Sequence, residues 1–396
     1  MQGLLIINAG SSSLKFAMFE APLAEGALSI VRGQIDGIGA ETKFVAKDVH
    51  GETLTDVVIR APEGADFEAQ QEFALEYLLE WIEARNVTLV AVGHRVLTGG
   101  DDYSAPVRVT PEVFGILESF IPLGPLHQPH NLRPIRVLAK KHPALPQVAC
   151  FDTAFHRTQS WLAQTYPIPR KFTQEGVKRY GFHGTSYEYV SRELPGVIGA
   201  KAKGAVVIAH LGNGASMAAL RDLKCVATTM GFTAAEGLMM GTRSGTIDPA
   251  ILLYLADRHG YTVEDMTRFL YKESGLLGVS GISQDMRTLE SSDAPEAKEA
   301  VELFCYRAAR EIGSLAMAAG GLDAVVFTGG IGENSSHARA SIVKYLGWMG
   351  AKLDATANGQ RGKAHVISTP DSGVVVAVVP TNEEWMIAHH TTTLLG

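Results

Sequence analysis

Leu4-Leu5-Ile6-Ile7-Asn8-Ala9-Gly10-Ser11-Ser12-Ser13-Leu14-Lys15-Phe16 decides how the chain begins. A four-residue apolar run ends in a small, hydroxyl-rich turn. The alternation that follows sets Leu14, Phe16 and Met18 on one face and Lys15 on the other, which predicts a β-hairpin with a polar tip. Gly10 frees the backbone to bend, and Ser11, Ser12 and Ser13 set hydroxyls beside backbone N–H groups, as a loop approaching phosphate oxygens requires. Lys15 supplies a positive charge. Taken alone, the same residues also describe an ordinary hairpin whose serines satisfy the turn.

The layout recurs. Ala205 to Leu220 again runs from an apolar strand through a Gly212-Asn213-Gly214 tip into a second strand. A third glycine-rich turn, Thr328-Gly329-Gly330-Ile331-Gly332-Glu333-Asn334, follows the buried strand Val325-Val326-Phe327, with Asn334-Ser335-Ser336 placed to cap a helix. Three such tips point to one nucleotide between two lobes.

At 396 residues the chain exceeds one ordinary core, and its 46% hydrophobic content supports two. A net charge of −7 with no basic tract argues against nucleic-acid or anionic-membrane binding as the main task. The first strand starts at about residue 4, leaving no room for a leader, and no apolar run approaches a membrane span. Cys150, Cys225 and Cys305 are odd in number and widely spaced, so neither a disulfide framework nor a thiolate zinc site is expected. A reducing, cytoplasmic location fits.

Further along, Leu28 to Ile35 and Lys43 to Val45 read as strands, and Phe67 to Ala84 as a helix opened by Asp66. Glu68, Glu72, Glu76 and Glu80 recur on that helix as a solvated stripe. Leu89 to Gly93 is a short buried strand delivering His94 and Arg95 to its carboxyl end, where α/β sheets place ligands. An arginine there can equally pair with a structural carboxylate. The proline-rich Pro122 to His130 precedes a helix from Asn131 to Lys141, and His127 and His130 read as structural. Val148 to His156 reads as another strand, ending in a carboxylate at Asp152. His183 stands between Phe182 and a tight turn, and Arg243 is flanked by Gly241 and Gly245, so a shaped loop presents its guanidinium. Ile251 to Arg258, Val263 to Lys272 and Pro295 to Ala319 read as helices, the last with Ala297, Val301, Phe304, Ala308, Ile312 and Leu315 on its core face. Val374 to Val379 is a buried strand, and Thr381-Asn382-Glu383-Glu384 opens the terminal helix.

Asn-Ala-Gly-Ser-Ser-Ser-Leu-Lys at 8–15, Gly-His-Arg-Val at 93–96, Phe-Asp-Thr-Ala-Phe-His at 151–156, Tyr-Gly-Phe-His-Gly-Thr-Ser at 180–186, His-Leu-Gly-Asn-Gly-Ala-Ser at 210–216, Gly-Leu-Met-Met-Gly-Thr-Arg-Ser-Gly at 237–245, Gly-Ile-Gly-Glu-Asn at 330–334 and Thr-Asn-Glu-Glu at 381–384 closely resemble the acetate kinase family, in the same order along the whole chain. The resemblance implies an α/β, two-lobed, actin-like (ribonuclease H-like) fold of duplicated domains with an interlobe nucleotide cleft. Residues 1–152, completed by the C-terminal helix 384–396, would form one lobe and 153–383 the other. It implies reversible transfer of the ATP γ-phosphoryl group to acetate, with magnesium as cofactor, manganese able to substitute, and a homodimer as the assembly.

By the same resemblance, Asp152, His183 and Arg243 form the reacting centre, and Arg95 binds the acyl carboxylate. Leu97, Leu126 and Phe182 wall the methyl group. Ser11, Ser13 and Lys15 lie near the phosphates, His210, Leu211, Gly212, Asn213 and Gly214 cradle phosphate, and Asn8 and Glu383 serve the metal. Asp285, Met286, Arg287, Gly330, Ile331, Gly332, Glu333 and Asn334 would hold the adenosine. A carboxylate acceptor is already ionised at pH 7, so it needs charge neutralisation and alignment rather than a base, and Asp152 is expected to orient an arginine or a metal-bound water.

The chain departs from the family pattern at several positions. Thr98 and Tyr187 each stand where a histidine is common, Gln128 and His130 alter the Leu-His-Asn-Pro segment, and Ala227 and Thr246 replace frequent aspartates. Ala234-Ala235 replaces a Pro-Leu pair, and a smaller wall there could admit a longer acyl chain, each methylene being worth about 1–3 kcal/mol. Propionate or butyrate kinase is therefore the near alternative, and a nucleotide-gated ATPase without an acyl acceptor the distant one.

Overall fold

The opening hairpin forms β1 (Gln2–Ala9) and β2 (Ser13–Glu20), antiparallel, with Asn8 opposite Lys15. The computed structural model describes residues 1–124 and 127–396, and Pro125 and Leu126 lie outside the described residues. The chain divides into two units, Met1–Ala154 with Asn382–Gly396, and Phe155–Thr381.

In the first unit, β3 (Val31–Asp36), β4 (Thr42–Asp48) and β5 (Thr53–Ile59) extend the hairpin as an antiparallel meander. On its other side β1 pairs in parallel with β6 (Thr88–Val96), followed by β8 (Gln147–Phe151) and the short β7 (Val107–Arg108), giving the order β5-β4-β3-β2-β1-β6-β8-β7. Apolar side chains of β1 and β2, among them Leu5, Ile7, Phe16 and Met18, pack with Leu75, Leu78 and Trp81 of the helix Phe67–Glu83. The C-terminal helix Glu383–Leu395 lies against β1, β6 and β8. Gly93 admits that helix, since a Cβ there would come within 2.5 Å of Thr391 Oγ1 and 2.7 Å of Ile387 Cγ2. Covered on both faces, β2 buries Ala17 and Phe19 as well as the alternating set.

The second unit repeats the frame. β9 (Val206–Leu211) and β10 (Ala215–Arg221) form its hairpin, β11 (Lys224–Thr228) joins antiparallel, and β12 (Ala324–Thr328), β13 (His365–Val366) and β14 (Val375–Val378) complete the order β11-β10-β9-β12-β14-β13. In both sheets an antiparallel meander, of five strands in the first and three in the second, is followed by two strands parallel to its inner strand. The helix Pro295–Ala319 buries Ala297, Val301, Phe304, Ala308, Ile312 and Leu315, as its periodicity predicts.

Four expectations need correction. The helix expected from Asn131 starts at Gln128, because a proline in the first turn forfeits only an amide that the helix leaves unpaired anyway. The glutamate stripe is not wholly solvated, for Glu68 faces Arg133 and Arg136 at 3.6 and 3.8 Å and Glu76 pairs with Lys141. Val263–Arg268 gives way to a π-helical turn at Phe269–Glu273 instead of continuing as one α-helix. Finally, Gly329–Asn334 coils into a short helix, after which Ser335 caps the next, Ser336–Tyr345. Among the described residues no helix is long and apolar enough to cross a membrane, and all three cysteines are buried and outside any disulfide.

Candidate active site

Arg95 occupies the last turn of pleat on β6, in register with Cys150 of β8. One residue past the end of β8, the buried Asp152 takes the arginine in a fork, Nε to Oδ1 at 2.8 Å and Nη2 to Oδ2 at 2.6 Å. Burial opposes the guanidinium charge, but the Asp152 and Glu383 carboxylates outweigh it and hold Arg95 firmly protonated. Arg95 Nη1 stands 3.9 Å from Glu383 Oε2. The neighbouring His94 is buried against Gln147 at 2.8 Å, and burial pushes its imidazole down to about 4, so it is neutral at pH 7. Leu97 follows on the same strand exit, its amide donating to Asn131 Oδ1 at 2.9 Å. Leu126 lies outside the described residues.

Glu383 opens the C-terminal helix, which Asn382 caps through Trp385 N. Its carboxyl is pushed up to about 7 by burial, with Asp152 and Glu384 adding to the rise and Arg95 and Lys15 opposing it. Among the described residues no group of three or more His, Cys, Asp or Glu side chains could hold a metal. One carboxylate and an amide, Glu383 and Asn8, nevertheless suit a hard cation that keeps most of its water and takes its other ligands from phosphate. At the hairpin tip, Gly10 N donates to Ser13 O at 2.7 Å, and the exposed Ser11 accepts from Gln71 through its carbonyl.

In the second unit, His183 is the residue before the helix Gly184–Ile198, with left-handed backbone (φ 60°) that a non-glycine residue seldom adopts. This turn lays its ring on that of His210, 4.3 Å between centroids. His210 Nδ1 is held by Ser186 Oγ at 2.8 Å, and His183 Nδ1 meets Ser216 Oγ at 2.9 Å. A Cβ on Gly214 would lie 3.4 Å from His183 Nε2 and 3.8 Å from Arg243 Nη1, so the hairpin tip, the histidine and the arginine converge. Arg243 donates to Ala234 O at 3.0 Å. That loop is itself anchored by Glu236, which accepts from Arg179 at 2.6 Å and from Tyr166. Phe182 is buried, its carbonyl accepting from His156 Nε2 at 2.8 Å.

A cavity of about 690 Å³ gathers Gly212, Asn213, Asp285, Met286, Arg287, Gly330, Ile331 and Asn334. His210, Leu211, Gly214, Gly332 and Glu333 stand outside its lining. Glu333 Oε1 instead accepts from Gly329 N at 2.9 Å and Thr381 N at 3.1 Å. Asp285 caps the short helix Met286–Glu290 and pairs with Arg287, whose hydrogen bond draws the carboxyl below its usual range. Gln284, Glu290, Ser335 and Arg361 also line the cavity; the sequence reading has Ser335 only as a helix cap and passes over the other three. Arg361, next to Gly362 and two residues after Gly359, carried the signal that exposed Arg243. It also passed over Arg339, which is fully buried and donates to Gly332 O, Glu333 O and Asn358, stapling the glycine-rich turn in place.

The family model described as the acetokinase family matches residues 3–389. An acetate kinase of Rhodopseudomonas palustris is 51% identical over 98% of this chain and 97% of its own, and one of Rhizobium meliloti 46% over 100% and 99%. Among solved structures, Porphyromonas gingivalis acetate kinase superposes with a TM-score of 0.90 at 37% identity, covering all of both chains. A propionate kinase from Francisella tularensis gives 0.89, also at 37% identity and full coverage of both.

Proposed function

Because the chain belongs to the acetokinase family, with its α/β fold of actin- and Hsp70-like topology, we propose that it transfers the γ-phosphoryl group of ATP to the carboxylate of acetate, giving acetyl phosphate and ADP, and runs the same transfer in reverse. The observation that carries this reading is Arg95, gripped by Asp152 through Nε and Nη2 so that Nη1 is held in one direction. A bare nucleotide switch has no anionic acceptor to clamp.

Acetate is ionised at neutral pH, so no base is required. His94 is neutral and buried, and Asp152 is spent on its arginine, which makes Asp152 an orienting group rather than a proton acceptor. The difficulty is repulsion between two anions. Arg95 would hold the acetate carboxylate, Leu97, Leu126 and Phe182 would enclose its methyl group, and Arg243 and His183 would donate to the equatorial oxygens as charge builds on them. Ser11, Ser13, Lys15 and the tip His210 to Gly214 would bind phosphate, with the base and ribose in the 690 Å³ cavity. A magnesium ion, or manganese in its place, would be held by Glu383 and Asn8 and would neutralise phosphate charge when bound.

Propionate remains the specific second reading. The propionate kinase superposes as well as the acetate kinase does, and Ala234 is small. Homodimerisation is supported by the helix Ala250–His259, which buries none of its residues and leaves Leu253 and Tyr254 exposed. Three buried cysteines outside any disulfide agree with a reducing cytoplasm. Acyl hydroxamate formation from ATP, magnesium and hydroxylamine, with acetate, propionate and butyrate in parallel, tests the reading. Signal falling with chain length is expected. Preference for a longer acid would change the substrate, and ATP hydrolysis without hydroxamate would overturn acyl transfer.

A further inference from the structure

Tyr187 is completely buried on the helix Gly184–Ile198, one turn after His183, and its phenol lies 2.5 Å from Ser216 Oγ. Ser216, also fully buried, sits on β10 opposite His210 of β9, and the same Oγ lies 2.9 Å from His183 Nδ1. Three groups thus form a chain that ends at the histidine whose other nitrogen faces Gly214. A serine hydroxyl has one proton to give. When the phenol donates to Oγ, the serine proton goes to His183 Nδ1, which then accepts, and the ring proton resides on Nε2.

We infer that Tyr187 is a positioning residue which, through Ser216, keeps His183 in the tautomer whose Nε2–H points at the transferring phosphoryl group. The inference rests on the acyl-phosphate reading for what His183 contacts, but not for the tautomer itself. It also gives a physical role to a position where the family commonly has a histidine. A phenol keeps its proton across the working pH range, whereas an imidazole titrates within it.

The test pairs ring ¹⁵N NMR of the nucleotide-free protein with steady-state kinetics of Tyr187→Phe, Ser216→Ala and the double variant. Tyr187→Phe retains the ring that stacks on Phe155. It is expected to lower kcat about tenfold with KM for acetate and ATP within about twofold, and to move the His183 signals from the Nε2–H pattern to a mixture. The double variant should be no slower than Ser216→Ala, since both act along one chain. Unchanged His183 signals in Tyr187→Phe, or losses that simply add, would overturn the inference. If Tyr187→Phe fails to fold, Ser216→Ala gives the same tautomer readout. Because the NMR measurement needs no substrate, a wild-type protein that forms no hydroxamate would defeat the reaction reading while leaving this test intact.

Discussion

At the exit of β6 the first unit places Arg95, and at the exit of β12, the equivalent parallel neighbour of its own hairpin, the second unit places Gly329 and Gly330. The same contrast runs through the next strand. β8 is followed by Asp152, which grips Arg95 with its side chain, whereas β14 is followed by a segment whose Thr381 backbone amide is bound by Glu333. One frame therefore serves two kinds of grip. In the first unit charged side chains pair at strand ends, a grip that the proposed function gives to small ions; in the second, glycines line a cavity, which the same proposal gives to a nucleotide approached by backbone.

The contrast breaks most visibly at Arg95. Arg95→Ala is expected to reduce kcat/KM for acetate by about a thousandfold while ATP binding changes little, measured by kinetics and calorimetry. It should also cost about 3–5 kcal/mol of stability, because Asp152 keeps a buried charge with its partner gone. Unchanged acetate kinetics would end the side-chain account of the first unit.

In the second unit the corresponding change is steric. Gly330 lines the cavity with open space where a Cβ would stand, so Gly330→Val should raise the ATP KM about tenfold or more and leave the acetate KM within about twofold. Arg287→Ala, by contrast, removes an exposed charge already paired with Asp285, and is expected to shift nucleotide KM by less than about twofold. A large effect from Arg287 and none from Gly330 would reverse the assignment of backbone and side-chain grips.

Glu383 supplies the intermediate test, on stability in metal-free protein. Its folded value of about 7 lies above the ordinary 4.5. Between those values the folded state keeps a proton that the unfolded chain has released, so stability falls as pH rises through the interval and the loss is complete above it. Glu383→Gln removes the titration. Urea midpoints should show it close to wild type near pH 4.5 and more stable by about 2 kcal/mol at pH 8. Equal midpoints at pH 8 would mean that Arg95 and Lys15 fully compensate the buried carboxylate.

Much of the fold was legible because it depends on contiguous residues. The hairpins, the Asp66 cap, the helix Pro295–Ala319 and the buried strand at Val375–Val378 each announce themselves by periodicity, capping chemistry or β-branched runs. The strand Thr53–Ile59 escaped notice because it lies at the sheet edge with most of its residues exposed, so little apolar patterning marks it. The start of the helix at Gln128 was obscured by prolines that its first turn tolerates. Arg339 was invisible for another reason: nothing in a helical Ser-His-Ala-Arg segment says that its guanidinium will be enclosed and spent on backbone carbonyls.

By itself the sequence determined the recurring strand–tip–strand units, the two-core size and the family, since each is written in local order and residue type. Tertiary structure alone decided that Arg95 would meet Asp152, 57 positions away, and that burial would push the Glu383 carboxyl up to about 7. Those properties arise from which charges the sheet register and the close approach of the C-terminal helix at Gly93 enclose together. Spacing along the chain does not encode that enclosure, and the cost of removing a charge from water depends on it.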